Sequence, residues 1–507
     1  MNDSARRSAE RDACLLTDKI RHAIANPQHS PEFDFHAGVE DVLKDVGMSV
    51  ADIGGTLSFY GRDPIIDSPF KFGAMSAVAL AAKSVAAAAV WRQRTGEGQE
   101  IHVDVRKAVQ RFAGFFDLKW ELVDGRAPAA LDEANPFHHL PLFRETADGR
   151  HVVALNVYPK VAARALEFLK CDSSVEGLKS AIRQWTADEL ETAAAEKGLV
   201  FAKVRTFDEF SKEAQYTDVL SRMKLISVER IGDSDPIPFS ENAKTPLDGI
   251  RAIGMGHVIA GAGIGRDLAQ FGADVLNVWR PDDTEIEAFA WDVQVGMRQT
   301  TLGYTDEDRA TFERLIKEAD VFFANKRPGY LEQNGLGAEQ LAAKKPGIVH
   351  AHVALHGDTG PWSNRPGFDE VGAAVAGVFT IAGTPETPKS PTIIPICDNV
   401  VGWLGTVGIL AALRRRAVEG GSYKVTVSLT RTVLWLMSLG IFDKAYAQQV
   451  AGSTDEHTLV APDLFTADTE LGKYQGMTDQ AVMSKTTPAF KTVLVKRGSG
   501  KPEWLPR

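Results

Sequence analysis

Apolar and polar positions divide the chain into unlike stretches. The first thirty-five residues are polar and mixed in charge and read as a partly helical lead-in. From Asp67 to Trp91, Ala, Val and Ser run almost unbroken, and Arg92–Gln99 (RQRTGEGQ) closes this helix with glycine punctuation. Ile101, Val103 and Val105 then alternate with polar residues, the period of a strand. A second block opens after Pro136 with the turn Asp148-Gly149-Arg150, the apolar run His151–Leu155, a helical pattern over Ser180–Lys197 and a short strand, Leu199–Val204. It reads as a small α/β unit ending near Ser240.

The third block starts at Thr245. Strands are expected at Ile250–Met255, Ala273–Trp279, Asp320–Ala324 and Gly347–Leu355, and helices at Asp306–Ala319, Leu331–Lys345 and Asn399–Arg415. Gly261–Gly272 (GAGIGRDLAQFG) reads as a glycine-rich turn into a helix. This alternation implies an α/β fold, a Rossmann-like parallel sheet with helices on both faces, beside the smaller α/β domain. The expected segments are 1–145, 146–244, 245–440 and 441–507, the last without periodicity. An internal repeat links the first and third: sliding by 324 positions aligns Ala74–Ala108 with Asp398–Thr432 without a gap. Each copy reads helix, glycine turn (Gly96; Gly420), alternating strand. Two copies are too few to stack as a solenoid.

Composition narrows the classes. Of 507 residues, 44% are hydrophobic and 24% charged, a mix that supports sizeable cores and excludes a wholly disordered chain. The net charge of −10, with no long basic stripe, argues against nucleic acid as a partner. Cys14, Cys171 and Cys397 form no CxxC pair, so no cysteine-ligated zinc is expected and a reducing cytoplasm fits. No apolar signal-like run opens the chain. Gly73–Trp91 is broken by Lys83 and Val400–Leu413 is too short to cross a bilayer, so both read as buried helices and no membrane partner is expected.

Several residues are candidates for chemistry. A strand, a glycine turn and a helix start together offer free N–H groups to an anion. The GxGxxG fingerprint fails here, because Arg266 stands third and the next strand ends in Trp279-Arg280 rather than an acid. Arg280, Arg298 and Arg327 suit a polyphosphate, or are solvated surface groups; Arg280 and Arg327 each precede a proline just after a strand. His350, His352 and His356 cluster on one strand, and His138-His139 in a loop, but no acidic or cysteine partner supports a metal site. Asp398 stands between an apolar run and a long apolar helix. It reads as an N-cap, or as a carboxylate nucleophile whose pKa the helix N-terminus lowers.

Ordered motifs in the third block resemble the family III CoA-transferases, the group that includes formyl-CoA transferase, carnitine CoA-transferase and α-methylacyl-CoA racemase. They are PLDGIR at Pro246–Arg251, HVIAG at His257–Gly261, FGADVLNVWRP at Phe271–Pro281, ADVFFANKRPG at Ala319–Gly329, GPWSNRPGFD at Gly360–Asp369, and GILAAL within Asp398–Leu413. DGRHVVAL, GLVFAKVRT and IPFS look like the family's small domain, which here comes first, so the chain looks fused and permuted. The resemblance makes Asp398 the nucleophile and places the Ala260 and Gly261 N–H groups near the thioester. It assigns His257, Val258, Arg280, Arg298, Asn325, Lys326, Arg327 and Gly329 to the coenzyme A nucleotide. It implies an acyl-CoA and a carboxylic acid as substrates, no metal, and a homodimer. Ala74 stands opposite Asp398, so the first copy has no nucleophile. Ile259 replaces a frequent polar residue, and Phe368 replaces the racemase histidine. The competing readings are a racemase or isomerase of the same fold, a non-catalytic CoA-binding protein and an NADP-dependent oxidoreductase.

Overall fold

The computed structural model describes residues 3–112, 118–129, 134–394 and 396–506, which include every candidate site residue. The lead-in forms α1 (Asp3–Ala25) and α2 (Phe35–Asp45). The first repeat follows as β1 (Leu57–Tyr60), α3 (Phe72–Thr95) and β2 (Ile101–Asp104). The small unit consists of β3 (Phe143–Glu145), β4 (His151–Ala154), α4 (Pro159–Leu169), α5 (Val175–Ile182), α6 (Ala187–Glu196) and β5 (Phe201–Lys203). The helix expected over Ser180–Lys197 is therefore two helices. Thr186 interrupts it as an N-cap whose hydroxyl accepts the Glu189 N–H, with the Glu189 carboxylate returning to the Thr186 amide.

The chain continues through β6 (Ser227–Gly232), β7 (Arg251–Met255), α7 (Ala260–Gln270), β8 (Asp274–Trp279), β9 (Arg298–Thr301), β10 (Val321–Ala324) and β11 (Val349–Ala354). It ends with α8 (Asp369–Ala376), α9 (Asp398–Glu419), β12 (Ser422–Ser428), α10 (Leu429–Ser438), the hairpin Leu464–Thr469 and Gly472–Met477, and β13 (Ala481–Met483). The expected helix Leu331–Lys345 is split into Pro328–Gln333 and Ala338–Lys344, because Gly335 takes a left-handed φ of 69° after Asn334. The aperiodic last segment thus contains strands, which its weak alternation had hidden.

The main sheet has the order β9-β8-β7-β10-β11-β12-β6. Its first six strands are parallel, and in chain sequence they lie 3-2-1-4-5-6, the order of a doubly wound sheet. The order reverses between β7 and β10. The antiparallel edge strand β6 comes from the segment expected to belong to the small domain.

The two repeats are visible in the packing. In the first, β2 runs parallel to β1 and antiparallel to β13; in the second, β12 runs parallel to β11 and antiparallel to β6. Ile101 faces Leu57 as Val425 faces Ala351. Asp104 and Ser428, 324 positions apart, both cap the next helix, accepting from the Arg106 and Arg431 amides. The helices α3 and α9 pack on each other in one continuous core. Although α3 is long and apolar enough to span a bilayer, its apolar window is wholly buried inside the fold. Its one central charge, Lys83, sits in that core and holds Asp267 of α7 at 2.7 Å and Asp479 of the last segment at 2.6 Å.

Candidate active site

At the sheet's reversal point, β7 and β10 stay paired to their last residues, and the segments that follow them line a crevice, the place where such folds hold ligands. A cavity of about 380 Å³ fills it. Asp398 and Ala260 line it, together with His257 and Val258 after β7 and with Asn325, Lys326 and Arg327 after β10. The small unit closes the opposite wall with Tyr158, Val161 and Arg164.

Close helix packing brings Asp398 to this place. One turn beyond it, Gly402 lies where an added Cβ would stand 3.3 Å from the Ala260 carbonyl oxygen and 3.5 Å from Gly263 Cα. Residues four apart share a helix face, so the glycine contact between α9 and α7 sets Asp398 above the start of α7. The glycines of GAGIG are inside α7 and do not form a turn. At Gly261 a Cβ would meet the Asn325 side chain at 2.4 Å, and at Gly265 the Met297 sulfur at 2.1 Å.

The turn itself is Gly256–Ile259, and three side chains pin it. Asn277 bonds both backbone groups of Gly256, accepting at 3.0 Å and donating at 3.0 Å. Asn325 does the same for His257, at 3.1 and 2.9 Å. The Val258 amide donates to Glu285 Oε2 at 2.8 Å. Val258 has φ +56°, a left-handed conformation that costs a β-branched residue about 1–3 kcal/mol. Ile259 then stands at the N-cap and offers no side-chain acceptor to the first amides of α7, which therefore face the crevice uncapped by Ile259.

The electrostatics differ from expectation. Asp369 takes the amides just ahead of α9, accepting from Ile396 at 2.9 Å and Cys397 at 2.5 Å. Burial pushes the Asp398 carboxyl well above its ordinary range, with the charges of Asp369 and Glu370 adding to the shift. The expected lowering is thus reversed: burial, with three carboxyls sharing one poorly hydrated place, outweighs the helix N-terminus. Glu370 is itself pushed up to about 7, by burial and by Asp369. Burial also raises the Cys397 thiol, whose Sγ points to the Leu429 carbonyl. The fold and this cluster leave Asp398 only 6% exposed.

The remaining candidates divide. Burial lowers the Lys326 ammonium against the opposing pull of Asp283. Arg327 is exposed at the cavity. Arg280 is not in its wall; its guanidinium lies over the Tyr304 and Tyr330 rings at 5.1 and 4.6 Å. Gly329 is also outside, its amide donating to Asn364 at 3.2 Å. Arg298 lines a different cavity at the amino end of the sheet, where it forks onto Asp274 at 2.8 and 3.0 Å. That ion pair uses the donors that a nucleotide would need. His350 and His352 donate to the carbonyls of Leu336 and Lys326, and His356 bonds Thr430, so these buried histidines have ordinary structural partners. Phe368 lines the cavity.

The sequence reading missed Tyr158, Glu285, Asp369 and Glu370. Asp369 had a signal, since it follows Phe368 within a matched motif. Tyr158 and Glu285 lie 127 positions apart and had none.

Comparison with known proteins places these features in a family. The model of CoA-transferase family III matches residues 44–229 and 247–471. The succinyl-CoA–L-malate CoA-transferase alpha subunit of Chloroflexus aurantiacus is 31% identical over 244 residues, covering 43% of this chain and 56% of the relative. The succinyl-CoA–D-citramalate CoA-transferase of the same organism is 32% identical over 211 residues, covering 39% and 52%. Probable CoA-transferase Rv1866 of Mycobacterium tuberculosis is 31% identical over 243 residues, covering 43% and 29%. Among solved structures, the hypothetical protein Rv3272 from M. tuberculosis is 32% identical, covering 39% of this chain and 58% of that one, with a TM-score of 0.34. The chain spans about half the length, or less, of the curated relatives it matches. With both of its matched stretches taken together, the chain belongs to CoA-transferase family III.

Proposed function

We propose that the protein is an acyl-CoA:carboxylate CoA-transferase that works through a covalent aspartyl intermediate. The observation that carries this reading is the position of Asp398: a nearly buried carboxyl on the wall of a crevice whose other wall is the start of α7. The ionised Asp398 attacks the thioester carbonyl, forming a mixed anhydride and releasing the CoA thiolate. The thiolate attacks the aspartyl carbonyl, giving an aspartyl-CoA thioester and the free first acid. The acceptor carboxylate displaces CoA in the same way, and the returning thiolate takes the new acyl group and restores Asp398. Each step exchanges one activated acyl bond for another, so the thioester's free energy is kept as long as water is excluded.

The surroundings support this chemistry. Amides near Ala260 and Gly261 suit the tetrahedral oxyanion, where loss of one such donor raises a barrier by about 3–4 kcal/mol. Lys326 and Arg327 offer positive charge to the CoA phosphates; Arg280 serves there only by leaving its tyrosines. Phe368 gives no base for α-proton removal, which favours transfer over racemisation. The test is CoA exchange between acyl-CoAs and a panel of organic acids, followed by mass spectrometry, with Asp398→Ala as control. Exchange that depends on Asp398 supports the reading, and exchange unchanged in the variant defeats it.

A further inference from the structure

The turn before α7 has three pins, and one of them is unlike the others. Asn277 and Asn325 each bond a residue's N–H and C=O, a complete pairing made within the main sheet's own layer. The third pin, Glu285, bonds only an N–H, that of the strained Val258. Its other oxygen, Oε1, accepts the Tyr158 hydroxyl at 2.9 Å and the Ile286 amide at 3.0 Å. Tyr158 belongs to the small unit, where it is the N-cap residue of α4. Its ring lies nearly parallel to that of Phe368, 25° apart with centroids at 6.2 Å. Phe368 in turn is the N-cap residue of α8, directly before the Asp369 that holds the backbone leading into α9. One carboxylate therefore joins the small unit to the backbone that aims the first amides of α7, and the tyrosine it holds also touches the wall leading to Asp398.

We propose that Glu285 is a positioning residue: a latch through which docking of the small unit, by Tyr158, holds the left-handed turn at Val258 and so sets the amide geometry at Ala260 and Gly261. A residue with φ +56° relaxes unless something holds it, and the Glu285 bond is what the structure supplies. Closing the crevice and forming the oxyanion site become one event, since one carboxylate holds the Val258 amide through Oε2 and the Tyr158 hydroxyl through Oε1. The role rests on the transferase reading and extends it to a residue that touches no reacting atom.

The test combines kinetics with amide exchange. Glu285→Ala is expected to lower kcat by about ten- to a hundredfold, with a smaller change in the KM for acyl-CoA, because a misplaced donor weakens the transition state more than binding. Tyr158→Phe removes a single hydrogen bond and acts in the same direction by a smaller factor. It keeps the proposal open to refutation if the alanine variant folds poorly. The decisive arm is rescue: in a Val258→Gly background the turn needs no restraint, so Glu285→Ala should cost far less there than in the native chain. Hydrogen exchange at residues 257–261 should quicken in both Glu285→Ala and Tyr158→Phe. Equal kcat losses in the two backgrounds, or unchanged exchange at the turn, overturn the latch. If the native chain moves no CoA, the transferase reading fails by itself, and the exchange comparison still decides the latch.

Discussion

The helices Phe72–Thr95 and Asp398–Glu419 occupy equivalent places in two copies of one strand–helix–strand pattern. Both end at a glycine of positive φ, Gly96 and Gly420, and both have a carboxylate that takes amides at or just ahead of the helix start. In the first copy that carboxylate is Asp63, accepting from Gly73 and Ala74 at 3.1 and 2.7 Å; in the second it is Asp369. Only the second copy follows four further parallel strands, and only there does a reversal of strand order open a crevice. The first copy places fully buried Ala74 where the second has Asp398 and packs Phe70, Phe72 and Phe112 around the helix start. One scaffold thus supports a filled core in one place and a carboxyl on a cavity wall in the other. The difference lies both in the residue at the helix start and in the strands that precede the helix.

Changing the residues at the two helix starts should give the largest effects. Asp398→Asn should lower transfer by about a thousandfold or more, measured as initial rates of CoA exchange. It should also stabilise the fold at neutral pH. Asp398 has a folded-state pKa raised by burial, so the folded protein binds more protons than the unfolded chain across the window above the unfolded carboxyl value. Stability therefore falls as pH rises through that window, and the neutral amide escapes the loss. A gain of about 1–3 °C in Tm at pH 7–8, absent near pH 3, is expected by calorimetry. The converse change, Ala74→Asp, should create no second site. It should cost on the order of 3–5 kcal/mol, because it adds a second buried charge beside Asp63 in a fully packed core.

A further difference between the copies is Lys83, which stands opposite Val407. It joins the first repeat to α7 and to the last segment through two buried carboxylates. Lys83→Met leaves Asp267 and Asp479 facing each other and should cost about 3–5 kcal/mol in denaturant unfolding. The smallest effect is expected from Glu370→Gln. Removing that charge lowers the Asp398 pKa, so the acid limb of the kcat/KM profile should move to lower pH while the direction, faster at higher pH, is kept.

Much of this was legible in the sequence. The four strands expected in the third block fall within a residue or two of their places, because parallel strands buried on both faces read as apolar runs; β9, with the polar sequence RQTT, gave no such run and was missed. The repeat was legible from its glycines and its alternating strand. The site was partly legible: His257, Val258, Ala260, Asn325, Lys326, Arg327 and Asp398 share one cavity, each from a matched motif. Three things were not. The ionisation of Asp398 depends on its burial and on the charges of Asp369 and Glu370 nearby, which no linear spacing reveals. Arg298 carries the right charge on the right strand, but its partner Asp274 is a cross-strand neighbour that only sheet register identifies. The Tyr158–Glu285 pair joins two segments whose docking is a property of the whole fold.

The central claim is that Asp398 forms a covalent bond with activated carbon. Incubation with acyl-CoA, hydroxylamine quench and peptide mass spectrometry tests it directly. A hydroxamate on the peptide containing Asp398, formed only when acyl-CoA is present and absent in Asp398→Asn, is the predicted result. Turnover that proceeds with Asp398 unmodified, or a label on another side chain, would contradict it.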